Sequence, residues 1–208
     1  NYNNKLDNKN GREFMKKTFY LMRHGQTLFN VRRKMQGSCD APLTELGIKQ
    51  CEEGAKYFEN IELDYIYSST SERASDTLEI VTGNKMPYTR VKDLKEMNFG
   101  VFEGESEDLS PPIEEFETFF LKYGGESAKM VQERVVKACI EIMEKEDHNN
   151  VLAVSHGLCC LYFIREWMDT LDVAEAAKGG LPNCTIFQYE YENKKFAFAA
   201  DYIRMYAL

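Results

Sequence analysis

A chain of 208 residues with 43% hydrophobic and 29% charged residues has ordinary globular composition and the length for one full core, so a single domain is expected. Its formal net charge of −8 argues against a nucleic-acid surface, because neutralising a phosphate backbone takes clustered Lys and Arg. No stretch approaches the roughly 20 apolar residues that span a bilayer, and the polar N-terminus lacks the apolar centre of an export signal, so no membrane partner and a cytoplasmic location are expected.

Residues 1–14 carry five asparagines and read as a polar arm, or an appended remnant, ahead of a domain over 15–208. Thr18 to Arg23 is short, apolar and aromatic-rich, as a buried strand should be, and Gly25 breaks it. Thr44 caps an expected helix to about Glu59, with Leu46, Cys51, Ala55 and Phe58 on its inner face. Asp64 to Ser68 reads as strand, Ser71 to Val81 as helix and Tyr88 to Val91 as a short strand. Between Gly104 and Gly125 the patterning weakens, Pro111 and Pro112 interrupt it, and a short helix is expected from Ile113 to Leu121; an inserted lid over 104–125 follows. Ser127 caps a long helix to about Glu146 whose inner face is Val131, Val135, Ala138 and Ile142. Val151 to Val154 reads as strand, Leu158 to Met168 as helix, and Cys184 to Tyr189 and Phe196 to Ala199 as the last strands. His148, among Glu, Asp and Asn, reads as a solvated loop residue. Alternating strands and helices imply an α/β fold with a mostly parallel sheet, with ligands beyond the strands' carboxyl ends.

The six cysteines are even in number, but with no export signal reduced thiols are expected rather than a disulfide framework. His156, Cys159 and Cys160 lack a second ligand pair at zinc spacing, so neither a metal nor a cofactor is expected.

Two of the three histidines, His24 and His156, follow strand ends and precede glycines. Phosphoryl chemistry there needs a nucleophile, a cationic cradle and an acid for the leaving group. His24 is the candidate nucleophile. Arg23 and Arg73 offer planar forks to phosphoryl oxygens, His156 and Asn30 add donors, and Gly25 and Gly157 allow close backbone approach.

In order, Arg23-His24-Gly25-Gln26-Thr27 to Asn30, Gln36-Gly37, Asp40 to Thr44, Ser68-Ser69 through Arg73-Ala74 to Thr77, Leu94 to Gly100, Gly125-Glu126-Ser127 and Ser155-His156-Gly157 resemble the motifs of the histidine phosphatase (phosphoglycerate-mutase-like) superfamily. The resemblance implies a three-layer α/β/α sandwich and metal-independent phosphoryl transfer through a phosphohistidine on His24. By position Glu96 is the proton donor, and Arg23, Asn30, Gln36, Gly37, Arg73, His156 and Gly157 hold the phosphate of a small phosphorylated metabolite. Three readings stay open: a phosphomonoesterase, a phosphoglycerate mutase and a phosphate-binding module without turnover. Two features favour the phosphatase. Met97-Asn98-Phe99-Gly100 stands where mutases of the family typically carry Arg-His-Tyr-Gly, and residues 105–121 hold six acidic residues with no Lys or Arg, which should repel a second phosphate. Oligomeric state has no signature here.

Overall fold

The computed structural model describes residues 16–168 and 180–202; the expected arm over 1–14 lies outside the described residues. The first strand, β1 (Lys17–Arg23), is buried on both faces because its apolar residues do not alternate with polar ones. It is joined by β2 (Tyr65–Ser69), β3 (Thr89–Val91), β4 (Asn150–Ser155), β5 (Ile186–Glu192) and β6 (Lys195–Tyr202) in the order β3-β2-β4-β1-β5-β6. β1, β2, β3 and β4 run parallel, whereas β5 pairs antiparallel with β1 and forms a hairpin with β6.

Phe19 and Leu21 face α4 (Ala128–Met143) and α5 (Gly157–Trp167); Tyr20 and Met22 face α2 (Glu45–Phe58) and α3 (Glu72–Thr82). Two cores on opposite faces of one sheet make the three-layer α/β/α sandwich. Thr44 and Ser127 cap α2 and α4 by accepting from the N–H groups of Gly47 and Met130, at about 1 kcal/mol each. No helix among the described residues is long and apolar enough to cross a membrane.

Several details differ from the sequence reading. The buried face of α2 runs through Gly47, Gln50, Cys51, Gly54 and Phe58, with Leu46 and Ala55 only half-buried. The helix lies so close to the first loop that a Cβ on Gly47 would stand 2.1 Å from the Gln26 carbonyl oxygen, so glycine, not leucine, marks the contact face. The helix expected over 113–121 is two 3₁₀ turns, Ile113–Glu117 and Phe120–Tyr123, which bury Phe116 and Phe120 in the α4 core. Ahead of α2 sits a one-turn helix, α1 (Leu28–Val31), closed by a capping box between Thr27 and Asn30.

His148 is not solvated. It is buried, its Nε2 lies 2.6 Å from the Tyr67 hydroxyl, its Nδ1 lies 2.7 Å from Asp147, and its ring stacks on Tyr65 with centroids 3.8 Å apart. Both ring nitrogens are satisfied, so burial carries little penalty. The partners that bury it come from β2, about eighty positions earlier, and leave no mark in the polar window around it.

Candidate active site

Parallel pairing sets the site. The register Arg23↔Ser155 on β1 and β4, and Ser68↔Val154 on β2 and β4, brings three carboxyl ends to one edge of the sheet. The next residues along the chain are His24, Ser69 and His156, and Arg73 follows in the first turn of α3.

His24 is buried, and its Nδ1 lies 2.7 Å from the Gly25 carbonyl oxygen. A carbonyl only accepts, so Nδ1 carries the ring proton and Nε2 keeps its lone pair. Burial, then the charges of Arg73 and Arg23, hold the His24 pKa well below that of a free imidazole. The ring is therefore held neutral, with the Nε2 lone pair free. The Gly25 N–H donates to Thr77 Oγ1 at 3.0 Å, which ties this turn to α3.

His156 is also fully buried, its ring centroid 5.2 Å from that of His24, and burial and the neighbouring Arg73 depress its pKa strongly. The guanidinium of Arg73 is completely buried. Nη1 donates to the Cys39 carbonyl at 3.0 Å and to Asp40 Oδ1 at 2.8 Å; Nη2 donates to the carbonyls of Gln36 and Gly37 at 3.0 and 3.2 Å. Arg73 thus frames the loop over 36–40 as well as the site. Arg23 donates through Nη1 to the Leu181 carbonyl. Among the described residues four buried nitrogens remain without a partner; Trp167 Nε1 lies at the far end of α5, and the other three, Arg23 Nε, Arg73 Nε and His156 Nδ1, belong to the residues around His24. Buried donors left open cost about 1–3 kcal/mol each, so their clustering around one imidazole marks a place built for an acceptor-rich ligand.

Glu96 caps α5. Its Oε1 accepts from the N–H groups of Met97 at 2.9 Å and Cys159 at 3.2 Å, and its Oε2 accepts from Leu158 at 3.0 Å. The loop that carries it is anchored by Arg134, which donates to the carbonyls of Asp93, Lys95 and Glu96 and makes a paired contact with Glu126. Glu126 in turn accepts from the Asn98 N–H at 2.9 Å.

A cavity of about 380 Å³ opens above these groups, lined by Arg23, His24, Asn30, Gln36, Glu96 and Gly157. Six of the sequence-chosen residues therefore share one wall, while Arg73 and His156 lie buried and Gly37 belongs to the frame. The Gly37 N–H donates to Glu103 and its carbonyl accepts from Arg73; a Cβ there would meet the Met97 carbonyl oxygen at 2.1 Å. Asn30 Oδ1 accepts from the N–H of Thr27 and from Asn183, leaving its Nδ2 for the cavity. Gln36 Oε1 accepts from the Thr27 hydroxyl at 2.7 Å, and its Nε2 donates to Asp40 at 3.4 Å.

Other residues complete the cavity. Met35, Phe99, Ile113, Phe116, Leu158, Leu161 and Leu181 give the cavity an apolar wall, and Arg33 and Lys34 stand beside it. Arg33 pairs with Asp108 at 2.8 Å and approaches Glu107 at 3.7 Å, so the acidic stretch over 105–121 is opposed by cations from a segment seventy residues earlier. Glu103 accepts from Gly37, Ser38, Cys39 and Phe99; burial alone would raise its pKa, but these N–H donors hold it below the usual carboxylate value. It is a clamp on two loops. All six cysteines are free thiols, and among the described residues no group of His, Cys, Asp and Glu is arranged to hold a metal ion.

The model of the histidine phosphatase superfamily (branch 1) matches residues 19–202. A probable phosphoglycerate mutase GpmB of Yersinia pestis is 31% identical over 183 residues, covering 83% of this chain and 84% of the relative. Among solved structures, Bacillus stearothermophilus YhfR is 32% identical with a TM-score of 0.77, covering 88% of this chain and 95% of that one. A phosphoglycerate mutase from Bacillus anthracis is 26% identical with a TM-score of 0.76, covering 91% and 95%.

Proposed function

Since the chain belongs to the histidine phosphatase superfamily, we propose that it hydrolyses small phosphorylated metabolites in the cytoplasm through a phosphohistidine on His24. The three open buried donors around the His24 ring carry this reading, because a phosphoryl group supplies the oxygens they lack. His24 Nε2 attacks phosphorus in line as the bond to the leaving oxygen breaks, and Glu96 gives that oxygen its proton. Water then attacks the phosphohistidine, returns a proton to Glu96 and frees the imidazole with inorganic phosphate. Arg23, Arg73 and His156 hold the phosphoryl oxygens, Asn30 and Gln36 border them, and Gly37 and Gly157 let the backbone close around the site. No step needs a metal or an added cofactor.

Water as acceptor, rather than a second phosphate position, is favoured by the wall beyond Glu96. Where the mutase signature places a cation, Met97 is fully buried in the α4 core and the Asn98 side chain accepts from the Gly100 N–H. Phe99, Phe116 and Ile113 line the same cavity as Glu96 and would meet the leaving group there. Such a surface desolvates an incoming anion without replacing its hydrogen bonds, whereas it accepts an apolar ester. The mutase reading keeps one support of its own, Arg33 and Lys34 at the cavity wall. Conversion of 3-phosphoglycerate to 2-phosphoglycerate, primed with 2,3-bisphosphoglycerate, should be slow beside phosphate release from monoesters at matched enzyme. Isomerisation faster than hydrolysis would establish the mutase.

A further inference from the structure

The two site histidines are held from opposite ring nitrogens. In His24 the Gly25 carbonyl takes the Nδ1 proton, as argued above. In His156 it is Nε2 that is engaged, 2.8 Å from Ser69 Oγ, while Nδ1 is buried with no partner. Ser69 ends β2, is completely buried, and stands beside His156 because β2 and β4 pair in parallel up to Ser68↔Val154.

The partners of the Ser69 hydroxyl bear on which nitrogen of His156 carries the proton. Its oxygen accepts from the Ser71 N–H at 3.3 Å, and a backbone N–H cannot accept in return. Among the described residues the one acceptor within reach of the hydroxyl proton is His156 Nε2. If Ser69 donates there, Nε2 is a lone pair and the neutral ring must carry its proton on Nδ1.

We propose that Ser69 is a positioning residue that fixes His156 as the Nδ1-protonated tautomer, so that this N–H is the donor presented to the phosphoryl group. The proposal rests on the phosphoryl-transfer reading for its purpose, although not for its geometry. With the opposite tautomer, Nε2–H would point at Ser69 and the Nδ1 lone pair would face the phosphoryl oxygens, turning a donor into a repulsive contact. The two rings then divide the work without either becoming charged: His24 offers a lone pair to phosphorus, and His156 offers an N–H to an oxygen. Removing one preorganised donor of this kind costs about 10²–10³ in turnover. Removing only the group that selects the tautomer leaves a mixture, and a loss of about tenfold is expected, equivalent to about 1.4 kcal/mol.

The test is a long-range ¹H–¹⁵N correlation spectrum of the full chain at neutral pH, in which the chain's three histidines are assigned by single substitution. Wild type should show His156 with Nδ1 protonated and Nε2 bare, and His24 likewise. In Ser69→Ala the His156 signals should move toward the Nε2-protonated form, those of His24 should stay, and kcat/KM for a monoester should fall about tenfold. A wild-type His156 protonated on Nε2, or on both nitrogens, overturns the proposal whether or not the variant folds. So does a Ser69→Ala enzyme whose His156 keeps the Nδ1-protonated signature. A His24→Ala enzyme that still turns over would remove the phosphoryl-transfer reading and leave the tautomer assignment standing, so the two failures are distinguishable.

Discussion

Replacing Arg73 with lysine should damage the fold and the chemistry together, because one guanidinium serves both. Its two terminal nitrogens donate four hydrogen bonds, three to carbonyls of the loop over 36–40 and one to Asp40, and the side chain is fully buried. A lysine ammonium is a single point with no planar fork, so about two of the four partners lose their donor. Each buried acceptor left open costs about 1–3 kcal/mol, and about 3 kcal/mol in all is a conservative sum. At about 2–4 °C per kcal/mol for a chain of this size, the melting temperature should fall by about 6–12 °C. The lost Nε donor should lower kcat/KM by about 10²–10³ as well. Thermal melts followed by circular dichroism, with phosphate release measured well below the new melting point, separate the two effects. A variant that melts within about 2 °C of wild type would refute the loop-tethering argument. If activity still collapsed in such a variant, Arg73 would act on phosphate alone and Glu103 would suffice to hold the loop.

His24→Ala should abolish turnover, since alanine has no atom to carry the phosphoryl group; activity within about tenfold of wild type would identify another nucleophile, because loss of a mere donor costs more than that. Glu96→Gln should slow alkyl phosphates by about 10²–10⁴ and nitrophenyl phosphate far less, since only the poor leaving group needs its proton; equal slowing of both would move the acid role to another residue. Stability should fall as pH drops below about 6.5. His24 and His156 are depressed in the folded protein by burial and by Arg73, so below that value the unfolded chain binds protons that the native state refuses, and the balance shifts toward unfolding. Melting temperatures compared at pH 7.5 and 5.5 check the sign, and a higher value at pH 5.5 would contradict it.

What the sequence made legible is what a short window contains. β1 ends at Arg23 and β4 at Ser155 within a residue or two of the apolar runs that announce them, and each run is followed by its histidine. Helix α4 shows its face at Val131, Val135, Ala138 and Ile142 because 3.6-residue spacing is itself local. The supports of the site were invisible for the converse reason. Arg134 reaches Glu96 across 38 positions, Glu103 reaches Gly37 across 66, and Ser69 reaches His156 across 87. Arg134 and Glu103 look like ordinary surface residues until the sheet closes, and Ser69, although it stands in a motif, shows no sign of its partner. The same holds for α2, whose contact face is written in glycines that periodicity counts as blanks, and for His148, whose burial depends on tyrosines of another strand.

The charge of the segment over 105–121 shows how far chain-wise reading can mislead about a field. Read along the sequence, six carboxylates without a cation make a lid that repels anions. In the fold, Met35 donates to the Glu105 carbonyl and Glu107 donates to the Arg33 carbonyl, a short antiparallel contact that lays the basic run Arg32-Arg33-Lys34 against the acidic one. Arg33 neutralises Asp108 directly, and Glu117 lies 3.8 Å from Arg165. Exposed pairs such as these contribute little to stability, about 0–1 kcal/mol, but at Glu107, Asp108 and Glu117 they offset part of the field that repulsion would need. Electrostatics therefore separates hydrolase from mutase less sharply than the sequence alone implies. A second discriminating feature is the apolar lining by Phe99, Ile113 and Phe116, which on the proposed phosphatase reading disfavours a second phosphate by failing to solvate it rather than by opposing its charge. The distinction has a measurable form: a preference for monoesters that arises from desolvation should persist at high ionic strength, whereas one that arises from an acidic lid should fade as salt shortens the Debye length from about 10 Å at 0.1 M to about 3 Å at 1 M. A ratio of hydrolysis to isomerisation that collapses between these two salt concentrations would restore the charge argument and remove the apolar one.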